Sequence, residues 1–479
     1  MAAELVVGFD LDMTLIDSRP GIAAVWEAVS QETGVFIDSQ LVVSRLGPPL
    51  AVEAAHWFPE HEIPDVVARY RALYPDHAID KVALIPGAQE AFEAVRKHGG
   101  KVIVVTAKNE PHARRHLEHL GLHADEVVGD AWAEQKGEAL KARNASIFVG
   151  DHLGDIVGAK TAHAISVAVP SGPIGMDELR AAGADVVLAD LADFPFWLDE
   201  HILTSRLEAL EKSLQDAGSV LVAFSGGADS AFLLAAAVRA LGNERVAAAT
   251  AISASLAEAE LAPAKQFAED LGVQHFTPDT DEMSSEGYRA NAGDRCYFCK
   301  AELLDTLGPL ATQLGLAYVA TGTNADDARA GFRPGIRAAH ERGATTPLKD
   351  AGLTKQQIRE ASRRWGLATW DKPAAACLSS RIAYGLQITP ARLARVDQAE
   401  AALRAALHDE GVHVTNLRVR DVGDTARVEI DKELVERVTE SDTVLEAVLA
   451  AGFDTVEVDP RGFRSGSMNE MLTDPERYR

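Results

Sequence analysis

VLVAFSGGADS, Val220 to Ser230, reads as four apolar residues of a buried strand, a Ser-Gly-Gly turn, and an apolar helix opened by Asp229 and Ser230. A strand that breaks at glycines and restarts as a helix aims bare backbone N–H groups and a positive dipole end at one point, which suits a phosphate. The Gly-x-x-x-x-Gly-Lys-Ser/Thr spacing of a P-loop is missing, and no lysine follows the glycines. A Ser/Gly turn with an Asp cap is the plainer reading of so few residues. The surrounding sequence has to arbitrate.

Downstream, RVAAATAIS is a second apolar strand, LAPAKQFAEDLG a helix and VQHFTPDT a third strand with a polar end. Strand and helix alternating at this spacing predict a parallel sheet with ligands at the strand tips. Ser225, Gly226, Gly227, Asp229 and Ser230 form the candidate phosphate cradle, and Asn324, after the strand AYVATG, is a candidate for the same pocket. Asp326 and Asp327 beside it either bind metal or cap the next helix. All three cysteines fall in this part, Cys296 and Cys299 as C-x-x-C and Cys377 well downstream. The first two sulfurs reach one metal, and a third ligand leaves an open position, as on zinc or on a [4Fe–4S] cluster with a free corner. Three unrelated buried thiols are the plainer alternative.

Upstream, LVVGFDLDMTLIDS ends an apolar strand at Asp10 and Asp12, followed by Thr14. Carboxylates two residues apart at a strand end face the same way, so they can share a divalent cation while Asp10 attacks phosphorus. KVIVVTAKN puts Thr106 at the end of a second strand, AEQKGEAL carries Lys136, and SIFVGDHLGDIVGA ends a third strand at Asp151, with Asp155 shortly after. Each lies where an open parallel sheet keeps its ligands; the alternative makes the acids strand-end and helix-cap residues. Residues 18–82 have helical periodicity and carry Trp26, Trp57, Phe58, Tyr70 and Tyr74, which read as the core of a helical insertion.

Near the end, the helix TPARLARVDQAEAALRAALHD precedes the strands NLRVRDVGDTARVEID and DTVEVD. Arg418 and Arg420 share one strand face, and Arg464 sits with Ser465 and Ser467 in a glycine turn. Such a set suits phosphate and carboxylates, unless these are exposed arginines on a sheet edge. Glu400 and Asp431 are further candidates for metal or substrate.

The chain of 479 residues is 47% hydrophobic, enough for two to four domains. Its net charge of −25, from 72 acidic and 47 basic residues, argues against long-range attraction to nucleic acid or an anionic membrane. No apolar run approaches membrane-spanning length, and Glu4 stands where a signal peptide carries positive charge, so a cytoplasmic protein is expected. The expected class is α/β, with two doubly wound domains, 1–203 (insertion about 18–82) and 204–390, and a small α+β region, 391–479.

The four N-terminal pieces, in order, resemble the motifs of the haloacid dehalogenase-like hydrolases. The resemblance implies a Rossmannoid fold with a helical cap and Mg²⁺-dependent hydrolysis of a phosphate monoester. Asp10 would be the nucleophile, Asp12 the general acid/base, Thr106 and Lys136 the phosphoryl-binding residues, and Asp10, Asp12, Asp151 and Asp155 the Mg²⁺ site. Met13 departs from the family's usual glycine, which puts the rate in question.

SGGADS resembles the PP-loop of ATP pyrophosphatases. Together with DRCYFCK, TGTNADD, FRPGIRAA, LTKQQIR, ACLSSRIAYG and GFRSGSMNE, from about residue 205 onward, it resembles the LarE family of ATP-dependent sulfur transferases. That resemblance implies an adenine nucleotide alpha hydrolase-like fold that adenylates a carboxylate of a pyridinium mononucleotide and replaces its oxygen with sulfur, toward a nickel-pincer cofactor. Ser225, Gly226, Gly227, Asp229, Ser230 and Asn324 would bind ATP, and Arg418, Arg420 and Arg464 the substrate. Cys377 would be catalytic, and Cys296, Cys299 and Cys377 would hold a [4Fe–4S] sulfur carrier, whereas members with only the late cysteine sacrifice it. A homo-oligomer is implied, with no nucleic-acid or membrane partner. The rival readings are a PP-loop tRNA-thiolating enzyme, disfavoured by the acidic charge, and a phosphatase with a regulatory nucleotide-binding domain, disfavoured by intact motifs in both halves.

Overall fold

In the computed structural model, which describes residues 4–329, 333–373, 376–464 and 466–471, the unbroken apolar runs become strands buried along their whole length, as parallel sheets covered on both faces require. Phe332 and Ser465 of the quoted motifs lie outside the described residues. The chain divides into two units, Met1–Ile202 and Leu203–Arg479, and the division falls inside one helix, Phe194–Ala217. The α/β class expected from the sequence is the class observed.

The first unit is built on six parallel strands in the order Glu126–Val128, Lys101–Val105, Val6–Phe9, Ile147–Gly150, Ile165–Ala168, Val186–Val187. Strand alternation sends Val7 and Phe9 to one face, against Phe92, Leu117 and Phe194, and Val6 to the other, against Leu140 and Phe148. Val6–Phe9 has neighbours from different stretches of chain on its two sides, so its C-terminal end opens a crevice at a topological switch point. The insertion is helical, led by Arg19–Thr33 and Ile63–His77, with its own core of Trp26, Phe58, Tyr70 and Tyr74. Its two ends are tied together by the antiparallel pair Ile16–Asp17 and Ala83–Leu84.

The second unit repeats the logic with four parallel strands, Gln274–Phe276, Val246–Ala249, Val220–Ala223 and Tyr318–Thr321. Val220–Ala223 lies at the switch point, so the Ser-Gly-Gly turn leaves the sheet where a crevice forms. The late part of the chain adds Leu417–Asp421, Thr425–Ile430 and Thr455–Val458, the first pair antiparallel and the second parallel. Their core includes the helix Pro390–Asp409 and also Tyr288, Leu378, Ile382 and Ile388. The segment after Cys377 is thereby fixed by packing to the last sheet. Among the described residues no helix is long and apolar enough to cross a membrane.

Candidate active sites

In the first unit, strand pairing continues one step past Phe9, with Asp10 N–H donating to Val149 O at 2.8 Å. This sets Asp10 beside Asp151, the residue that follows the neighbouring strand. Asp155 reaches the same point from the third position of helix Leu153–Ala162, where its Oδ2 accepts from His152 N–H at 3.0 Å. Gly150 admits it, since a Cβ there would stand 2.3 Å from the Asp155 carboxyl carbon. Oxygens of Asp10, Asp151 and Asp155 all lie within 4.8 Å of one another, the one such group found among the described residues. Lys136 Nζ, buried, lies 2.8 Å from Asp10 Oδ1 and 2.6 Å from Asp155 Oδ1, and Thr14 Oγ1 donates to Asp151 Oδ1 at 2.8 Å.

Burial raises Asp10 to about 7 against the pull of Lys136, and burial with the charges of Asp155 and Asp10 raises Asp151 well above the usual carboxylate range. Three crowded carboxylates served by one ammonium form a donor set that suits a hard cation such as Mg²⁺. Asp12 is not brought into this group. Burial works to raise it, yet Lys108 and Ser18 hold it below its ordinary value, with Lys108 Nζ 3.0 Å from Asp12 Oδ1. Thr106 is buried at its strand end and lines the same cavity.

That cavity, about 320 Å³, is walled by Asp10, Asp12, Asp151 and Thr106 on the sheet side and by Trp26, Tyr70 and Tyr74 of the insertion. The insertion's aromatics therefore form both its core and a cavity wall. Arg45 and Arg71 also line it, paired with Glu53 and Asp130 at 2.5 and 2.7 Å. Lys108 links wall to floor, since its Nζ also donates to Tyr74 OH at 2.6 Å, and Tyr74 OH meets His116 Nε2 at 2.9 Å. His112 stacks on the Tyr74 ring at 4.5 Å.

Burial and then Lys108 lower His112 to about 4 and His116 to about 3. Their ordinary value is 6.5. The associated stability is therefore present above pH 6.5 and lost as the pH falls toward about 4 for His112 and about 3 for His116, because the unfolded chain takes up protons that the folded chain refuses. His116→Gln is expected to flatten the fall in unfolding temperature across that window. A slope equal to wild type would show that His116 is not held neutral.

In the second unit the turn closes on itself. Gly226 takes φ +71°, Ser225 N–H donates to Ser230 Oγ at 3.3 Å, and Ser230 Oγ donates to Gly227 O at 3.1 Å. Helix Ala228–Leu241 follows, with Asp229 in its first turn. Asp229 Oδ1 is buried with no hydrogen-bond partner, and burial raises the carboxyl. An orphaned carboxylate oxygen at the start of this helix is a donor that suits a hard cation such as Mg²⁺. Ser225, Gly227, Asp229 and Ser230 line a cleft of about 440 Å³ whose walls also carry Cys299 and Cys377. Asn324 stands behind this lining. It is buried, and its Oδ1 accepts from the backbone N–H groups of Asp326 and Asp327 at 2.9 and 3.0 Å. Asp326 Oδ2 accepts from Lys355 N–H at 2.8 Å as a cap, whereas Asp327 lines the cleft.

The charge that the turn lacks in sequence arrives from distant segments. Lys300, Lys355 and Lys372 all line the cleft, and Lys372 Nζ donates to Gly226 O at 3.0 Å and to Glu260 Oε2 at 2.7 Å. Sequence reasoning did not single out these lysines, although DRCYFCK, LTKQQIR and TWDKP contain them. Burial lowers Lys300 to about 8. Cys299 is raised by burial and by the charges of Cys377, Glu282 and Cys296, and its Sγ lies 3.8 Å from Glu282 Oε1. Cys296 is exposed and outside the cleft lining. The three sulfurs are not gathered within 4.8 Å, the spacing that one ion would need.

Arg418 and Arg420 are buried, although their strand is the edge of its sheet, and Arg464 is partly exposed. Arg420 is buried and donates to Glu429 Oε2 at 2.6 and 3.0 Å, to Ser467 Oγ at 3.2 Å and to Ser380 O at 3.2 Å. Arg418, also buried, donates to Leu417 O at 2.6 Å and lies over Phe463, and burial and then Arg381 lower it to about 10. Arg464 pairs with Glu470 and Asp459. Asp431 accepts from the backbone of Thr415 and Asn416 and serves a turn.

Glu400 holds Arg381 at 2.9 and 3.2 Å and accepts from Val419 N–H at 3.0 Å, while Arg381 Nη1 donates to the carbonyls of Ala376 and Cys377. Glu400→Ala strands a buried guanidinium and is expected to destabilise the second unit by about 3–5 kcal/mol in denaturant unfolding. A loss below about 1 kcal/mol, the scale of an exposed pair, would contradict this burial.

A family model described as haloacid dehalogenase-like hydrolase matches residues 7–169, and one described as NAD synthase matches residues 202–294. An uncharacterized protein of Synechocystis sp. is 41% identical over 275 residues, covering 57% of this chain and 100% of that protein. Pyridinium-3,5-bisthiocarboxylic acid mononucleotide synthase of Lactiplantibacillus plantarum is 33% identical over 272 residues, 57% of this chain and 96% of the relative. Phosphoglycolate phosphatase of Haemophilus influenzae is 26% identical over 214 residues, 39% of this chain and 95% of the relative.

Proposed function

The chain belongs to the family of pyridinium-3,5-bisthiocarboxylic acid mononucleotide synthase and also carries a haloacid dehalogenase-like hydrolase domain, and we propose that it joins ATP-dependent sulfur transfer to a pyridinium mononucleotide with hydrolysis of a small phosphate monoester. The observation that carries the sulfur-transfer reading is the shared cleft, in which the Ser225–Ser230 turn faces Cys299 and Cys377. ATP would lie with its β- and γ-phosphates against the turn's N–H groups, Ser225 and Ser230. Lys300, Lys355 and Lys372 offset the charge of the departing pyrophosphate. Asp229 would hold the nucleotide's Mg²⁺, which neutralises charge on the phosphates. A substrate carboxylate oxygen attacks the α-phosphorus and pyrophosphate leaves. Sulfur then replaces AMP on the activated carbon. Cys296, Cys299 and Cys377 would hold a [4Fe–4S] cluster, whose open corner can carry an exchangeable sulfide. Arg420 reaches the segment after Cys377 through Ser380 O and also meets Ser467 Oγ, and we assign Arg418, Arg420 and Arg464 to the substrate's anionic groups.

In the first unit, Asp10 and Asp151, supported by Asp155, would hold Mg²⁺, which offsets the charge of an incoming phosphate dianion. Asp10 attacks phosphorus while Lys136 and Thr106 hold the phosphoryl oxygens. Asp12 would give a proton to the leaving oxygen in the first step and, left ionised beside Lys108, take the proton of the water that releases the phosphate, which restores it for the next ester. The test is one preparation of the full chain assayed for AMP formation with nicotinic acid mononucleotide-type carboxylates and for phosphate release from small esters. Absence of AMP with every carboxylate, together with salt-sensitive tRNA binding, would replace the sulfur-transfer reading.

A further inference from the structure

Met13 follows Asp12 with φ +60°, a left-handed backbone that side chains rarely adopt. The turn enforces it: Met13 N–H donates to Ile16 O at 2.8 Å, and Asp12 bridges Ile16. Glycine would serve this turn without steric cost. The chain keeps a methionine there, 3% exposed. Its neighbours Leu11, Leu15 and Ile16 join the core of the sheet, but Met13 is not part of that cluster. It lines the cavity instead, together with Asp12, Trp26, Val42 and Tyr70. A strained backbone that carries a side chain into a reaction cavity, with no core to account for it, points to a role at the site.

We propose that Met13 is a specificity-determining residue of the phosphatase site. Its flexible, polarizable thioether walls the leaving-group side of the cavity beside Asp12, so the site accepts phosphate monoesters with a compact leaving group and turns away aryl and nucleoside monoesters. The inference rests on the hydrolase reading above. A methyl or methylene more or less in such an apolar wall changes discrimination by about tenfold or more.

The test compares kcat/KM for 2-phosphoglycolate, p-nitrophenyl phosphate and AMP in the full chain, for wild type, Met13→Gly, Met13→Ala and Met13→Leu. Within one preparation the ratio of two substrates is insensitive to the fraction of folded enzyme, so a poorly folding variant still reports. Gly and Ala are both expected to shift the ratio toward the bulky esters by about tenfold or more, and Leu is expected to keep the wild-type ratio. An unchanged ratio in Gly and Ala overturns the proposal. A shift with Gly alone also overturns it, because only Gly relaxes the backbone. A wild type that hydrolyses no ester overturns the hydrolase reading and this inference with it, a result distinct from an active wild type whose ratio ignores residue 13.

Discussion

Asp10→Asn is expected to lower phosphate release from every ester by on the order of 10⁴-fold or more, while AMP formation in the same preparation is unchanged. The amide keeps the shape of the carboxylate but cannot attack phosphorus, and its place at the end of Val6–Phe9, hydrogen-bonded to Val149 through the backbone, should be preserved. The charge argument adds a second readout. Asp10 is one of three buried carboxylates crowded within 4.8 Å, so removing its charge relieves repulsion when no cation is bound. Mg²⁺ should then raise the unfolding temperature of wild type more than that of the variant; a ligand at a hundredfold excess over its Kd contributes about 2.7 kcal/mol. Phosphatase activity near the wild-type level would show that the nucleophile lies elsewhere.

Cys377→Ala is expected to abolish sulfur transfer and to leave phosphate release untouched. The substitution removes a thiol from the cleft wall while Arg381 continues to hold the carbonyl oxygens of residues 376 and 377, so loss of function can be assigned to sulfur rather than to a displaced loop. Purified without oxygen, wild type should carry about four irons per chain, and the variant much less, because two cysteines are a poor anchor for a cluster. If wild type instead holds no iron and loses the mass of H₂S from Cys377 after one reaction, the thiol itself is the sulfur donor and C-x-x-C has another task. Retained sulfur transfer in Cys377→Ala would remove this residue from the chemistry.

Both strand-tip loops were legible in the sequence because their logic is local. An apolar strand, a turn or acid at its tip, and a helix start are read from a dozen consecutive residues, and the parallel sheets follow from strand–helix alternation. The partners that tune those loops were not legible. Lys372 comes to Gly226 from far along the chain. Lys108, two residues past Thr106, turns to Asp12 and pairs with it at 3.0 Å. Spacing placed Arg418 and Arg420 on a common strand, yet only the packed structure puts Glu429 and Ser467 beside Arg420. Met13 was visible as a departure from glycine, but its left-handed backbone and its place in the cavity wall were not.

The helix Phe194–Ala217 has a practical consequence for anyone who wishes to study the two activities apart. Its first turns contribute Phe194 and Leu198 to one hydrophobic core, and its later turns contribute Leu203, Leu210 and Leu214 to the other. A cut between Ile202 and Leu203 therefore falls in the middle of a hydrogen-bonded rod, with no loop to absorb it, and gives each fragment a frayed terminus. Separate halves are better made as overlapping pieces that both contain the complete helix.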